Sequence, residues 1–486
     1  MTTPRRAPQL LAAAVGLGIL GERLLHGPGL GLNLTLLVMA WLGAWLLLAR
    51  GAESPAPRWT VVPLVLCAAG FAWRDDPALW MFDWLGIGVG LGLMALPALR
   101  RERSLEHAGV GALSLSGGQT ALAFAAGALP ALADALRADP GQGRRPGREM
   151  LAATARGLVL AAPPLLVFGA LLMSADARFD RLVSSLIDVH FEALVERAVV
   201  VGFVAWTGAG LLWNALRPVG PAMPARMLST GTLGAVEVAV IAGLLDVLFL
   251  GFVAVQGSYL FGGDKLIATQ SDLSYAEYAR RGFFQLVVVA GLSLPVLLGL
   301  ARVAATGPGS RLFRPLAGLQ IALLFLILGS ASHRLLLYVS QFGLTLDRLE
   351  AAAVLTWIGA TLLWFAATVL RGRAERFLPG GLAAAAIILA TLHLVNPAAV
   401  VVKVNLGRAS AGVPLDVHYL ADLGADGMPA LVAALPDLPQ GDRQLVSQLL
   451  CSRKSTEEQP LAWNYGRARA VAALKRLRAN GCGIAG

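Results

Sequence analysis

The chain of 486 residues carries 14% charged residues against 56% hydrophobic ones. A soluble chain carries roughly 25% charged residues to solvate its surface, and a mean hydropathy of +0.66 places much of this one against something other than water. The net charge of +10 does not indicate nucleic acid, because Arg sits in short clusters beside apolar runs, as at Arg100, Arg101 and Arg103, with no basic stripe interleaved with aromatics.

At the N-terminus, Arg5 and Arg6 precede an apolar stretch from Leu10 to Leu20. Glu22 and Arg23 follow, and no small-residue cleavage site is placed where a secretory signal needs one, so an uncleaved first membrane helix is expected. Runs long enough to cross a hydrocarbon core recur at 9–25, 30–49, 59–73, 78–98, 150–173, 197–216, 232–256, 283–304, 315–337, 350–370 and 379–396. They are continuous rather than alternating, which excludes a barrel and leaves helices. The segment 108–136 is built from small residues, with Ser114, Gly117, Gly118 and Pro130, and reads either as a weak span or as a hairpin that enters and leaves on one side. Phe179, Leu182, Val183 and Leu186 share one helix face opposite Asp180, Arg181 and Asp188, the pattern of a helix lying in the interface or of a lid over neighbouring helices.

From Asn396 onward the sequence is more polar. Asp416 to Leu423, Asp426 to Leu435, Asp442 to Leu450 and Pro460 to Arg478 read as short helices, each begun by Asp or Pro. The expected fold is all-α: a polytopic transmembrane bundle of about 11–12 spans with a small helical C-terminal domain. The expected divisions are N-terminal transmembrane helices over 1–149, a transmembrane core over 150–396 and the C-terminal helical domain over 397–486.

Basic residues in short loops favour the cytoplasm. With the N-terminus inside, Arg5, Arg6, Arg50, Arg58, Arg100, Arg101 and Arg103 are all cytoplasmic, and only Arg74 falls squarely on the opposite loops. If 108–136 does not cross, the clusters at Arg217 and Arg226, at Arg302, Arg311 and Arg314, and at Arg371, Arg373 and Arg376 join them. The expectation is a multi-pass protein of the cytoplasmic (inner) membrane with an extracytoplasmic C-terminus. Its expected partners are membrane lipid and another membrane or periplasmic protein, with no nucleic acid.

Phe252 to Gly263 (FVAVQGSYLFGG) leads into Ser274 to Phe284 (SYAEYARRGFF), and Leu171 to Asp176 (LLMSAD), Tyr338 to Arg348 (YVSQFGLTLDR) and Asn396, Pro397, Asn405, Asp416, Tyr419 and Leu420 add to the pattern. Together these resemble an uncharacterised family of polytopic bacterial membrane proteins, known as a domain of unknown function. The resemblance runs over roughly residues 150 to 436, with Phe342 standing before Gly343 where the pattern carries Tyr. It implies a membrane location and no established activity.

No GxxxxGK[ST] loop, HExxH, CxxC pair or GxSxG elbow is present, which speaks against a membrane ATPase, a zincin or a thiol oxidoreductase. Glu237 and Asp246 lie within one span, where charge is costly. Their spacing puts them on nearly opposite faces and about 13 Å apart along the axis, so each acts either as a polar clamp between helices or in a relay completed by other helices, with Arg156 and Arg334 as the available cations. Tyr259, Tyr275, Glu277, Tyr278, Arg280 and Arg281 in loop 257–281, and Arg334, Tyr338, Asp347 and Arg348 in loop 334–349, open on the same side. The two loops are expected to meet under the C-terminal domain, as a ligand or partner surface for an anionic group or as an internally paired cap. His26, His107, His190, His333, His393 and His418 lack tight ligand spacing, so neither a metal site nor a cofactor is expected. Cys451 and Cys482 lie outside the spans and are expected to close a disulfide loop of about 30 residues, whereas Cys67 lies within a span. The functional expectation is a non-enzymatic integral membrane protein acting as a sensory, scaffold or assembly component. The alternatives are a transporter of a small solute or lipid and, third, a membrane-embedded transferase.

Overall fold

The computed structural model of the protein describes residues 3–26, 29–50, 58–96, 191–216, 235–261, 283–304, 310–453 and 460–479. Among these residues all regular structure is helical. The first core is enclosed by α1 (Thr3–Leu25), α2 (Leu32–Leu48), α3 (Val61–Trp73), α4 (Pro77–Ala95) and α5 (Phe191–Leu216), and contains Leu17, Trp45, Phe71, Met94 and Leu212. A second is enclosed by α6 (Ala235–Phe261), α7 (Phe283–Ala304), α8 (Ser310–Phe342) and α9 (Leu346–Thr368), around Leu297, Leu324, Leu362 and Phe365. α10 (Phe377–Val395) packs on α9 and also reaches α3 and α4, so it joins the two bundles. The third core is the C-terminal domain: α11 (Pro397–Ser410), α12 (Val417–Ala421), α13 (Gly424–Ala434), α14 (Gln440–Ser452) and α15 (Tyr465–Ala479), packed around Val401, Leu431, Val446 and Leu450.

The bundle helices are apolar on both faces. In α7, Leu286, Ala290, Ser293, Leu297 and Leu300 form a buried stripe at helical spacing, while Val288 and Leu292 on the other side are exposed. Exposed Leu and Val over whole helix faces have no place in water but suit a hydrocarbon surround. Among the described residues, five helices are long and apolar enough to cross a bilayer: Pro8–Leu25, Pro77–Ala95, Arg311–Phe342, Leu346–Thr368 and Ala374–Val395. Shorter apolar helices accompany them at Leu32–Leu48, Arg58–Trp73, Val200–Leu216, Val238–Ala254 and Leu286–Ala301. The protein is membrane-embedded.

Helix ends follow local chemistry. Asp76 caps α4, its Oδ1 accepting from Ala78 N–H (3.0 Å) and Leu79 N–H (3.3 Å), with Pro77 in the first position. Thr345 caps α9 by accepting from Arg348 N–H. α8 stops at Gly343, whose φ of 83° costs a glycine little. Two elements depart from the expectation. Residues 334–342 are not a loop: the helix continues past the apolar run to Phe342, carrying Arg334 and Tyr338 with it. α11 was not foreseen, although Asn396 caps it through Ala399 N–H and Pro397 opens it. The expected span 150–173, the amphipathic stretch near 179–188 and the segment 108–136 lie outside the described residues.

Candidate functional site

Between α3 and α4 the chain reads Arg74, Asp75, Asp76, Pro77. With Asp76 committed to its cap, the turn directs Arg74 inward, where it is 5% exposed. Its Nε donates to the carbonyl of His393 (2.7 Å) and its Nη2 to that of Leu394 (3.3 Å), so a fixed cation closes the C-terminal end of α10, where the helix dipole favours positive charge. Its Nη1 lies 3.6 Å from Asp426 Oδ1, at the start of α13. Asp75 N–H donates to the other oxygen, Asp426 Oδ2 (2.7 Å). The Asp75 carboxylate pairs with Arg467 of α15 at 2.5 Å.

Asn464 completes the junction. It is fully buried; its Nδ2 donates to the carbonyls of Phe71 (2.7 Å) and Arg74 (2.8 Å), while its Oδ1 accepts from Arg467 N–H at the start of α15. Asn396, the only described non-glycine residue with positive φ, at 61°, donates from Nδ2 to the carbonyl of Asp426 (3.0 Å). Gly466 must be a glycine here, because a Cβ would collide with Asp426 Oδ1. Burial pushes the Asp426 carboxyl above the usual aspartate range, opposed by the Asp75 N–H and by Arg74. Burial pulls Arg74 down from its ordinary value, opposed by Asp426, and the guanidinium remains charged.

Deeper along the same helices, Asp83 of α4 is fully buried and lies 3.1 Å from His393 Nε2 of α10. The approach depends on Gly70 of α3, where a Cβ would run into the Asp83 carboxylate. The α3–α4 hairpin thus meets α10 through one polar pair inside the bundle and one charged node at its end.

A second contact holds the C-terminal domain at the tip of α8. Asn405 of α11 accepts from Leu344 N–H (2.9 Å) and donates to the Leu344 carbonyl (2.7 Å). Arg408 donates to the Ser340 carbonyl (2.6 Å), and Tyr419 Oη accepts from Leu346 N–H (2.9 Å). Burial raises the Tyr419 phenol above its ordinary value.

Of the residues expected to form a ligand surface, Tyr338 and Arg348 meet: the guanidinium lies 4.0 Å from the ring centroid and also donates to the Gly343 carbonyl. Arg334 is buried within α8, and Asp347 sits in the first turn of α9. Tyr259 is in the last turn of α6, and Tyr275, Glu277, Tyr278, Arg280 and Arg281 lie outside the described residues. Glu237 is in the first turn of α6. Asp246 is 4% exposed, with neither carboxylate oxygen hydrogen-bonded. Cys451 is disulfide-bonded and Cys67 is free and buried, while Cys482 lies outside the described residues. Among the described residues, no group of three or more His, Cys, Asp and Glu is placed to hold a metal. Sequence reading missed Asp83, His393, Asp426, Asn464 and Arg467 as a group. The one available signal was Arg74, the lone basic residue on the wrong loops.

A family model described as a domain of unknown function, DUF4153, matches residues 61–434, most of the chain. The chain belongs to the DUF4153 family. The DUF4153 region starts with the first residue of α3 and ends with the last of α13, so both halves of the Arg74–Asp426 pair lie inside it, while Asn464 and Arg467 lie beyond. It therefore begins well before the stretch from 150 on which the resemblance was read. No curated protein and no solved structure matches the chain.

Proposed function

We propose that this DUF4153 chain is a non-enzymatic, multi-pass protein of the bacterial cytoplasmic membrane whose C-terminal helical domain, outside the cytoplasm, serves as a scaffold or assembly platform. The observation that carries this reading is the Arg74–Asp426 node. A domain tied to the α3–α4 turn by buried charge, and to the tip of α8 by Asn405 and Arg408, is held in fixed register on the bundle. Rigid presentation of a surface is what a platform needs and a flexible tether lacks. The basic loops favour the cytoplasmic side for the opposite ends of the helices. A photoreactive side chain placed at the exposed positions Val413 and Leu461 in intact membranes is expected to yield discrete adducts with another membrane or periplasmic protein. Adducts with lipid alone, or none, would remove the platform reading.

A second reading, transport of a small solute, is favoured by one observation: Asp246 is a buried carboxylate within an apolar helix. Purified chain in sealed vesicles should then carry a solute-dependent flux that is lost in Asp246→Asn.

A further inference from the structure

α6 has one buried stripe, made of Val238, Ala242, Asp246 and Phe249, and this is the face packed on α8. On its other side Leu244, Val247 and Leu248 are 66%, 68% and 64% exposed, facing hydrocarbon. Asp246 thus points into the seam, not toward lipid or headgroups. Both of its oxygens are buried without a hydrogen-bond partner. The facing helix repeats the anomaly: Gln320 of α8 is 1% exposed, and neither its Oε1 nor its Nε2 has a partner.

Two buried, unsatisfied polar side chains in one apolar core call for a missing component, since native interiors satisfy such groups with protein, water or ions. Packing glue does not explain them, because glue would place the two groups in contact with each other or with a backbone carbonyl. Asp83, buried in α4, shows what a clamp looks like here: its Oδ1 has His393 at 3.1 Å.

The path of the chain brings the two groups to similar depth. α7 and α8 are joined through residues 305–309, a connection short enough to force reversal between packed neighbours. The sequence between α6 and α7 holds no apolar run long enough to cross a bilayer, so α6 and α8 run in the same direction. Asp246 then stands about 16 Å from the start of α6 and Gln320 about 15 Å from the start of α8, near the middle of a hydrocarbon core about 30 Å thick.

We propose that the α6–α8 seam is an intramembrane site for a small monovalent cation, either the proton or an alkali ion, with Asp246 as the charged ligand and Gln320 Oε1 as a neutral one. Ser293 Oγ on α7 already donates to the Val289 carbonyl, which leaves its lone pairs free to serve as a third oxygen. Such cations take hard oxygen ligands, and a single carboxylate balances a single positive charge. Among the described residues of α7 and α8, the other charged and titratable groups lie away from this pair. Arg311 and Arg314 sit exposed at the start of α8, with Arg334 about 21 Å beyond Gln320. His333, near Arg334, is likewise exposed, and α7 offers only Arg302, at its far end.

The test is reaction of the intact chain, in lipid nanodiscs, with a hydrophobic carbodiimide, which modifies protonated carboxyl groups inside membranes, followed by peptide mass spectrometry. Modification of Asp246 is expected, falling several-fold from mildly acidic to alkaline pH. At fixed pH, suppression by sodium or lithium chloride but not by choline chloride identifies an alkali-ion site, and that protection should be lost in Gln320→Leu. A response to pH with no alkali protection identifies the proton as the occupant. Absence of Asp246 modification at every pH, or a rate indifferent to both pH and cations, overturns the proposal. Asp246→Asn is expected to melt no lower than the parent chain, because it removes a buried charge that holds nothing together. A marked loss of melting temperature in that variant would make Asp246 a structural clamp and likewise overturn it.

Discussion

The junction around α3, α4 and α10 and the seam between α6 and α8 spend buried charge in opposite ways. At the junction buried Asp426 has Arg74, half-buried Asp75 has Arg467 and buried Asp83 has His393, while buried Asp76 accepts from amides of its own helix. In the seam Asp246 and Gln320 have none. Burying a charge is tolerated where it is paired, and breaking such a pair is far costlier than never making it. The first region is therefore built to stay shut, while the second keeps an unmet demand that a ligand can satisfy.

Four substitutions or conditions sharpen that contrast. Arg74→Ala should have the largest effect, a loss of about 3–5 kcal/mol, because Asp426 is left buried without its cation and the end of α10 loses its cap. Limited proteolysis should then release fragments of the C-terminal domain, and acidification should restore part of the loss by neutralising Asp426. If the domain stays protected, the node is not what seats it.

Next comes the disulfide. The Arg478 side chain reaches the carbonyls of Cys451 and Arg453, bringing the end of α15 to the end of α14. If Cys482 is the partner of Cys451, then Cys451→Ser and Cys482→Ser should each cost about 2–4 kcal/mol, and the double variant no more than either alone. Unequal losses in thermal melts would refute that pairing.

A smaller effect follows from the raised Asp426 carboxyl. The folded group binds its proton more tightly than the unfolded one. Its contribution is therefore complete below the ordinary aspartate value of about 3.9 and is lost as pH rises through the raised folded value. Domain melting should decline over that window, and Asp426→Asn should flatten the decline. The smallest expected change is Asp246→Leu, which should leave stability unaltered or slightly improved, since an unpartnered buried acid is replaced by an apolar side chain. A large loss there would erase the distinction between the two regions.

The helices were legible in the sequence because a bilayer imposes length and composition directly. Of the runs that lie within the described residues, α7 matches its expected bounds, and α3 and α9 shift by a few residues. The helix ends were harder. Tyr338 to Phe342 extend α8 after its apolar run has finished, since a helix can continue in water once nucleated on the bundle. The junction was nearly invisible, because Arg74 and Asp426 are separated by most of the chain and Asp426 read only as the start of a helix. Arg74 offended the charge bias of the loops, yet nothing in the sequence named its partner. Asn464 fell inside the expected helix Pro460 to Arg478, and nothing in the sequence pointed its amide to the carbonyls of Phe71 and Arg74.

The length of α8 has a consequence for what can reach the C-terminal domain. Its 33 residues extend about 50 Å, against a hydrocarbon thickness of about 30 Å. Tilt absorbs part of the excess, and the rest stands clear of the lipid as a short mast. Asn405 and Arg408 fasten the domain at the masthead, near Ser340 and Leu344. The domain is thus fastened at two places, the Arg74 turn and the end of α8, so whatever docks on it meets a surface tied to the bundle at both.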